Sequence, residues 1–284
     1  MHIIGTAYVI LKKILILIST LMLIVVGFDE RNLPNPDGAT VVDKNTYVLF
    51  DYNMSSQGVT NDGTSYYFSG NSNLAKADMK SGEIHLINVD AIPEELKERN
   101  CNHIGGLTYY NGYVYAAIED GPDYNNSFIA LYDAETLEYT GVYYELPHEL
   151  HLEGVPWCAV DVERNVIYTA EWSNAKVLNV FDLETLKLKG TTKLSEPVDR
   201  IQGAEMYGDK LYLSCDEEND KKRILSIDVE TGLVEDVFAR NIGVVFEAED
   251  MTIFEDESGE PVFCVLDRGE RRKSTNLTMY KLDK

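Results

Sequence analysis

His151 and Glu153, in the stretch HLEGVPW, put an imidazole and a carboxylate two residues apart directly before an apolar run. With a second carboxylate, Glu249, and with Arg200 as an anion clamp, they make the His and carboxylate set that general acid and base chemistry requires. Related stretches recur, since HIGGL lies 48 residues before this one and RIQGAEM 49 residues after it. A second chemistry is open to the acids. Glu153, Glu205, Glu247, Glu249 and Asp250 offer hard oxygens for calcium or a similar cation, although DEEND lacks the glycine-bearing calcium-loop pattern. Zinc fits poorly, because HELHLE sets His148 and His151 three apart where a helical HExxH site needs four. Nucleophilic catalysis has little support: no G-x-S-x-G elbow occurs, and Cys101, Cys158, Cys215 and Cys264 stand in no electropositive setting. Gly105 and Gly106 precede no helix signal, so a phosphate-cradling loop is not indicated and nucleotide use is disfavoured.

The elements that must position these residues follow from an internal repeat. Gly58 in SSQGVT, Gly106 in HIGGLT, Gly154 in HLEGVP and Gly203 in RIQGAE align, with Asp250 of EAEDMT in the fifth place, at steps of 48, 48, 49 and 47. A second landmark keeps pace: Asp78, Asp133, Asp182 and Asp228 open the turns DMKSG, DAETL, DLETL and DVETG, with Asp283 near the end. Between landmarks lie short runs rich in Tyr, Val and Ile, such as GLTYY, YVYAAIED, FIALYDAE and YTGVYYEL, separated by turn residues. Four strands per unit is a propeller blade. The expected fold is therefore an all-β, five-bladed propeller of four-stranded blades, with blades near 53–101, 102–150, 151–199, 200–246 and 247–284. The fifth unit supplies three strands, and TYVLFDY, Thr46 to Tyr52, is expected to close the ring as its fourth, removing an open edge. AIPEELKER, Ala91 to Arg99, reads as a helical turn between blades.

A propeller lines its axis with the first strand of each blade, which predicts two rings of residues at one channel mouth. Ser55, His103, His151, Arg200 and Glu247 form the first; Gln57, Gly105, Glu153, Gln202 and Glu249 form the second. The ends of the second strands add Glu119 and Asp120, Glu171 and Trp172, Asp216 and Glu217, and Asp267 with Arg268. A polar funnel results, in which Gln57, His103, Glu119, Glu171, Trp172, Arg200, Gln202, Asp216 and Asp267 are the expected ligand contacts. Tyr67, Tyr115, Tyr168 and Tyr212 recur at blade register and are expected to pack between blades, while Asp133, Asp182 and Asp228 are expected to cap turns. DRGERRKST, Asp267 to Thr275, is a basic island read as a solvated loop.

The formal charge is −23, from 48 acidic against 25 basic side chains, and no basic stripe appears, so nucleic acid is excluded as a partner. Ile14 to Phe28 is uncharged and apolar behind Lys12 and Lys13, which reads as a signal anchor over 1–28 with the lysines inside, or a signal peptide if cleaved, followed by a linker over 29–45. Either reading exports the propeller. No CxxC or paired spacing supports a disulfide, and the four cysteines are expected as buried free thiols. Over residues 46–284 the blades resemble exported bacterial β-propellers with YVTN- or NHL-like repeats, on features such as VLNVFDLETLKLKG and ILSIDVETGLVED. CNHIGGLTYYNGYVYAAIEDGPDY and LEGVPWCAVD look most like a membrane-anchored branch of clostridial type. No residue inherits a role from that resemblance. The expected function is an extracytoplasmic, membrane-anchored binding or interaction module for a small molecule, saccharide or cell-surface partner. The alternative is a hydrolase or lyase using His151 and Glu153, with a cation such as calcium assisting, and a bare scaffold comes third.

Overall fold

The computed structural model describes residues 35–48, 50–217, 222–240, 242, 246–269 and 274–284. Its first strand, β1 (Ala39–Val48), belongs to the last sheet. Blade 1 is β2 (Val59–Asn61), β3 (Ser65–Ser69), β4 (Leu74–Asp78) and β5 (Ile84–Asn88). Blade 2 is β6 (His103–Tyr110), β7 (Tyr113–Glu119), β8 (Ser127–Asp133) and β9 (Tyr139–Glu145). Blade 3 is β10 (Ala159–Asp161), β11 (Val166–Thr169), β12 (Ala175–Asp182) and β13 (Leu188–Val198). Blade 4 is β14 (Ile201–Tyr207), β15 (Lys210–Asp216), β16 (Lys222–Asp228) and β17 (Val234–Arg240). Blade 5 is β18 (Glu247–Glu255), β19 (Pro261–Arg268) and β20 (Ser274–Leu282), with β1 as its outermost strand. Each sheet is an antiparallel meander, and the helical turn expected between blades 1 and 2 is present at Glu94–Lys97.

Five apolar cores hold the ring together, and every one lies between two neighbouring blades. Trp157, Tyr168 and Leu178 of blade 3 meet Ile201, Leu211 and Leu225 of blade 4. Tyr66, Phe68 and Ile84 of blade 1 meet Cys264, Leu266 and Leu277 of blade 5. No blade has a core of its own, so each depends on both neighbours for burial. The recurrent tyrosines sit in these seams: Tyr67 stacks on Tyr109 of blade 2 at 5.7 Å, and Tyr212 meets Phe263 of blade 5 edge-on at 5.1 Å. The repeated aspartates cap their turns. Asp133 Oδ1 accepts from the Thr136 amide and hydroxyl, and Asp182 Oδ1 does the same with Thr185. All four cysteines are buried free thiols.

The closing strand differs from expectation in its bounds. It runs Ala39–Val48, so it shares residues 46–48 with the expected strand and begins in the stretch assigned to the linker, and it pairs from Ala39 opposite Leu282 to Val48 opposite Ser274. Residues 50–52 of the expected strand lie instead in a short helix, Phe50–Met54. The physical reason is position: an outermost strand buries little, here chiefly Ala39 and Tyr47, so VVDKN carries no apolar alternation and its charges guard the edge. The anchor expected over 1–28 and the adjoining 29–34 lie outside the described residues, as do residues 270–273 of the basic island. Among the described residues no helix is long and apolar enough to cross a membrane.

Candidate functional site

The register of the first two strands in each blade fixes which residues share a level around the axis. Thr60, Thr108, Ala159, Glu205 and Thr252 lie opposite Tyr67, Tyr115, Tyr168, Tyr212 and Cys264. Two residues earlier stand Gly58, Gly106, Trp157, Gly203 and Asp250. Blade 3 thus departs from the glycine alignment. Gly154 lies in the loop before β10 at φ +84°, and Trp157 takes the axial place.

Two of the three glycines, Gly106 and Gly203, make room for one carboxylate. A Cβ on Gly203 would sit 1.8 Å from Asp250 Oδ1, and one on Gly106 would sit 3.1 Å from its Oδ2 and 2.9 Å from the Trp157 Cβ. Val59 and Leu107 donate their amides to Asp250 Oδ2, each at 3.0 Å, and Met251 donates to Oδ1 at 2.8 Å. The Ala204 amide donates as well. One buried side chain therefore joins blades 1, 2, 4 and 5. Burial pushes the Asp250 carboxyl up to about 7, and the four amides pull against that shift.

Just before that level, the inner strands open on a cavity of about 180 Å³ lined by Gln57, Gly105, Pro156, Gln202 and Glu249, one from each blade. His103, Glu119, Tyr124, Glu153, Trp172, Glu247 and Arg268 complete its wall. Its size is below that of drug-sized pockets, so it suits a small ligand. A β-bulge sets the aim of Glu249: the ladder slips between Ala248 and Met251, so Glu249 faces the cavity and Asp250 the axis. The same slip occurs between Ile104 and Leu107, where Gly105 and Gly106 occupy the equivalent places.

His103 is held between Glu119 Oε1 at 3.0 Å from Nδ1 and Gln57 Oε1 at 2.8 Å from Nε2, and Glu119 Oε2 accepts from the Val155 amide at 2.7 Å. Glu153 Oε2 accepts from the Ser173 amide and hydroxyl, at 3.0 and 2.5 Å. Arg268 reaches Glu247 Oε2 at 2.5 Å and Glu249 Oε1 at 3.3 Å. Arg200 lies over the Trp172 ring at 5.2 Å and pairs with Asp216 at 2.9 Å.

Several expected site residues lie elsewhere. His151, expected as a catalytic base, is fully buried outside the cavity wall. Its Nδ1 is 2.9 Å from Pro147 O and its Nε2 is 2.8 Å from Thr169 Oγ1, so both nitrogens are occupied and burial lowers its pKa. No His151–Glu153 pair forms, because the displaced loop of blade 3 turns the imidazole into the blade 2 to blade 3 seam against Phe181. Asp216 and Asp267 are buried ion-pair partners, of Arg200 and Lys222 and of Arg240 respectively, and neither lines the cavity. Glu171 accepts from the Leu152 amide and also lies outside the wall.

The calcium set is divided. Glu205 lies beyond Asp250 along its strand, where it accepts from the Thr252 hydroxyl at 3.1 Å, while Glu247 and Glu249 face Arg268. Among the described residues no group of three or more His, Cys, Asp or Glu is arranged to hold a metal ion. Tyr124 and Pro156 were not expected in the wall. Both lie in loops whose path depends on the three-dimensional closure of blades 2 and 3. The site and fold define a five-bladed propeller with a polar cavity at one end of its inner strands. Compared with family models and with curated proteins, the chain matches none.

Proposed function

We propose that the protein is a binding module of the exported YVTN- or NHL-like kind, whose ligand is a small polar molecule of the saccharide class seated in the axial cavity. Residues 1–28 then hold the propeller on the outer side of a membrane. The observation that supports this reading is the cavity wall itself. Trp172 and Tyr124 offer aromatic faces to the C–H face of a sugar ring, and Gln57, Gln202 and Glu153 offer hydrogen-bond partners for hydroxyls. The apolar run Ile14 to Phe28 behind two lysines supports the anchor. A hydrolase built on His151 and Glu153 has no such support, since His151 is outside the wall.

Thermal unfolding of the full chain in a panel of mono- and disaccharides tests the reading. A ligand at about one hundred times its Kd adds about 2.7 kcal/mol, which raises Tm by several degrees. Gln202→Leu is expected to remove that rise while moving the ligand-free Tm by no more than about 2 °C. A panel that leaves Tm unmoved counts against the reading, and extraction of the full chain from membranes by alkaline carbonate counts against the anchor.

A further inference from the structure

Glu249 is 4 % exposed and lines the cavity, and among the described residues no donor gives its Oε1 a hydrogen bond. Arg268 Nη1 lies 3.3 Å from that oxygen as an ion-pair contact without the alignment of a hydrogen bond, and the same guanidinium holds Glu247 through Nη2. A buried acceptor without a donor costs about 1–3 kcal/mol, more when charged. In a carboxylate that lines a cavity, such an atom marks a group whose acceptors a ligand's donor can satisfy.

Resting on the ligand-site reading above, we propose that the ligand carries a primary ammonium group on a small hydroxylated body, as an amino sugar does, and docks that cation on the Glu249 carboxylate. An ammonium brings three donors and the charge that makes their bonds strong. The sign of the wall favours it. Glu119, Glu153, Glu247 and Glu249 face Arg268 and His103, within a chain of formal charge −23, so an anionic ligand meets repulsion and a cation is drawn in. Glu119, the other buried wall carboxylate, is already occupied by His103 and the Val155 amide, which leaves Glu249 as the buried wall carboxylate with an oxygen that no donor among the described residues satisfies. Burial pushes the Glu249 carboxyl well up, with Arg268 opposing and Glu247, Asp267 and Asp250 adding to the shift. A bound ammonium supplies the counter-charge that burial withholds.

Calorimetric titration of the full chain with glucosamine and with glucose, ligands alike except for the amine, tests this at pH 7. Glucosamine is expected to bind at least tenfold more tightly. In Glu249→Gln the two sugars should fall within about threefold of each other, with Tm not lowered. Because the glucosamine-to-glucose ratio is read on the native protein, it stands even if the variant folds poorly. Equal affinities in the parent, or a preference that survives Glu249→Gln, overturn the ammonium proposal while glucose binding keeps the saccharide-site reading alive. Silence of glucose, glucosamine and ethanolamine alike overturns both.

Discussion

Glu249 and Asp250 are consecutive, both buried, and both in the bulge of the fifth inner strand, yet their surroundings are opposite in kind. Asp250 faces the axis, where amides from four blades converge on its two oxygens. Glu249 lines the cavity with an acceptor that no donor among the described residues satisfies. Burial alone therefore separates nothing. The saturation of the acceptor tells a residue that holds the ring from one that waits for a ligand.

The comparison breaks most readily at the axis. In Gly203→Ala the new Cβ would meet Asp250 Oδ1 at 1.8 Å and its Cα at 2.4 Å, atoms fixed by the amides of other blades. Neither can retreat without opening the ring, so the cost is expected at the upper end for overpacking, about 3–5 kcal/mol, or a Tm lower by about 10 °C. Urea or thermal unfolding measures it. A variant as stable as its parent would show that Asp250 does not hold the four strands in place.

A matched pair of substitutions sharpens the contrast. Asp250→Asn keeps the shape but turns an NH2 toward amides that already donate, leaving some of them without an acceptor, for an expected loss of about 2–3 kcal/mol at pH 8. Glu249→Gln makes the same chemical change one residue earlier, where no amide is aimed at Oε1. Its stability is expected to stay within about 1 kcal/mol of the parent, or to rise, because a buried charge is removed. Equal losses in the two variants, measured by denaturant unfolding, would dissolve the distinction drawn above.

Part of this was legible in the sequence. The spacing of Gly58, Gly106 and Gly203 and the substitution of Asp250 in the fifth place were correct at the axis, because a close approach of inner strands demands glycine at a fixed register. Gly154 misled for a physical reason. It serves a left-handed turn at φ +84°, and a turn glycine looks the same in a sequence as an axial one. That error carried His151 into the expected mouth, whereas Gln57, Glu153, Gln202 and Glu249 did reach it. The closing strand was misplaced because an edge strand needs little burial, so β1 lacks the alternation that marks inner strands. Saturation was not legible at all: the donors to Asp250 come from residues as far apart as Val59 and Ala204.

A pH-dependent effect, smaller than those at Gly203 and Asp250, lies beyond the axial carboxylate. Glu205 keeps part of its surface in the channel and accepts from Thr252 and Thr60. Burial, reinforced by the Asp250 charge, pushes its carboxyl up from 4.5 to about 8. A folded value above the unfolded one means that the folded state holds the proton more tightly. The stability so gained is complete below about pH 4 and is lost as pH rises through 8. Glu205→Gln carries no such proton, so variant and parent are expected to match below about pH 4 and to diverge progressively between about pH 5 and pH 8, the gap levelling off above that. The variant should then be more stable by about 2 kcal/mol at pH 9, less than the full linkage value because the side chain is partly solvated. Melting curves at several pH values give the difference directly. A gap that stays constant with pH, or narrows as pH rises, would mean that Glu205 is ionised in the fold and that its hydroxyl partners outweigh its burial.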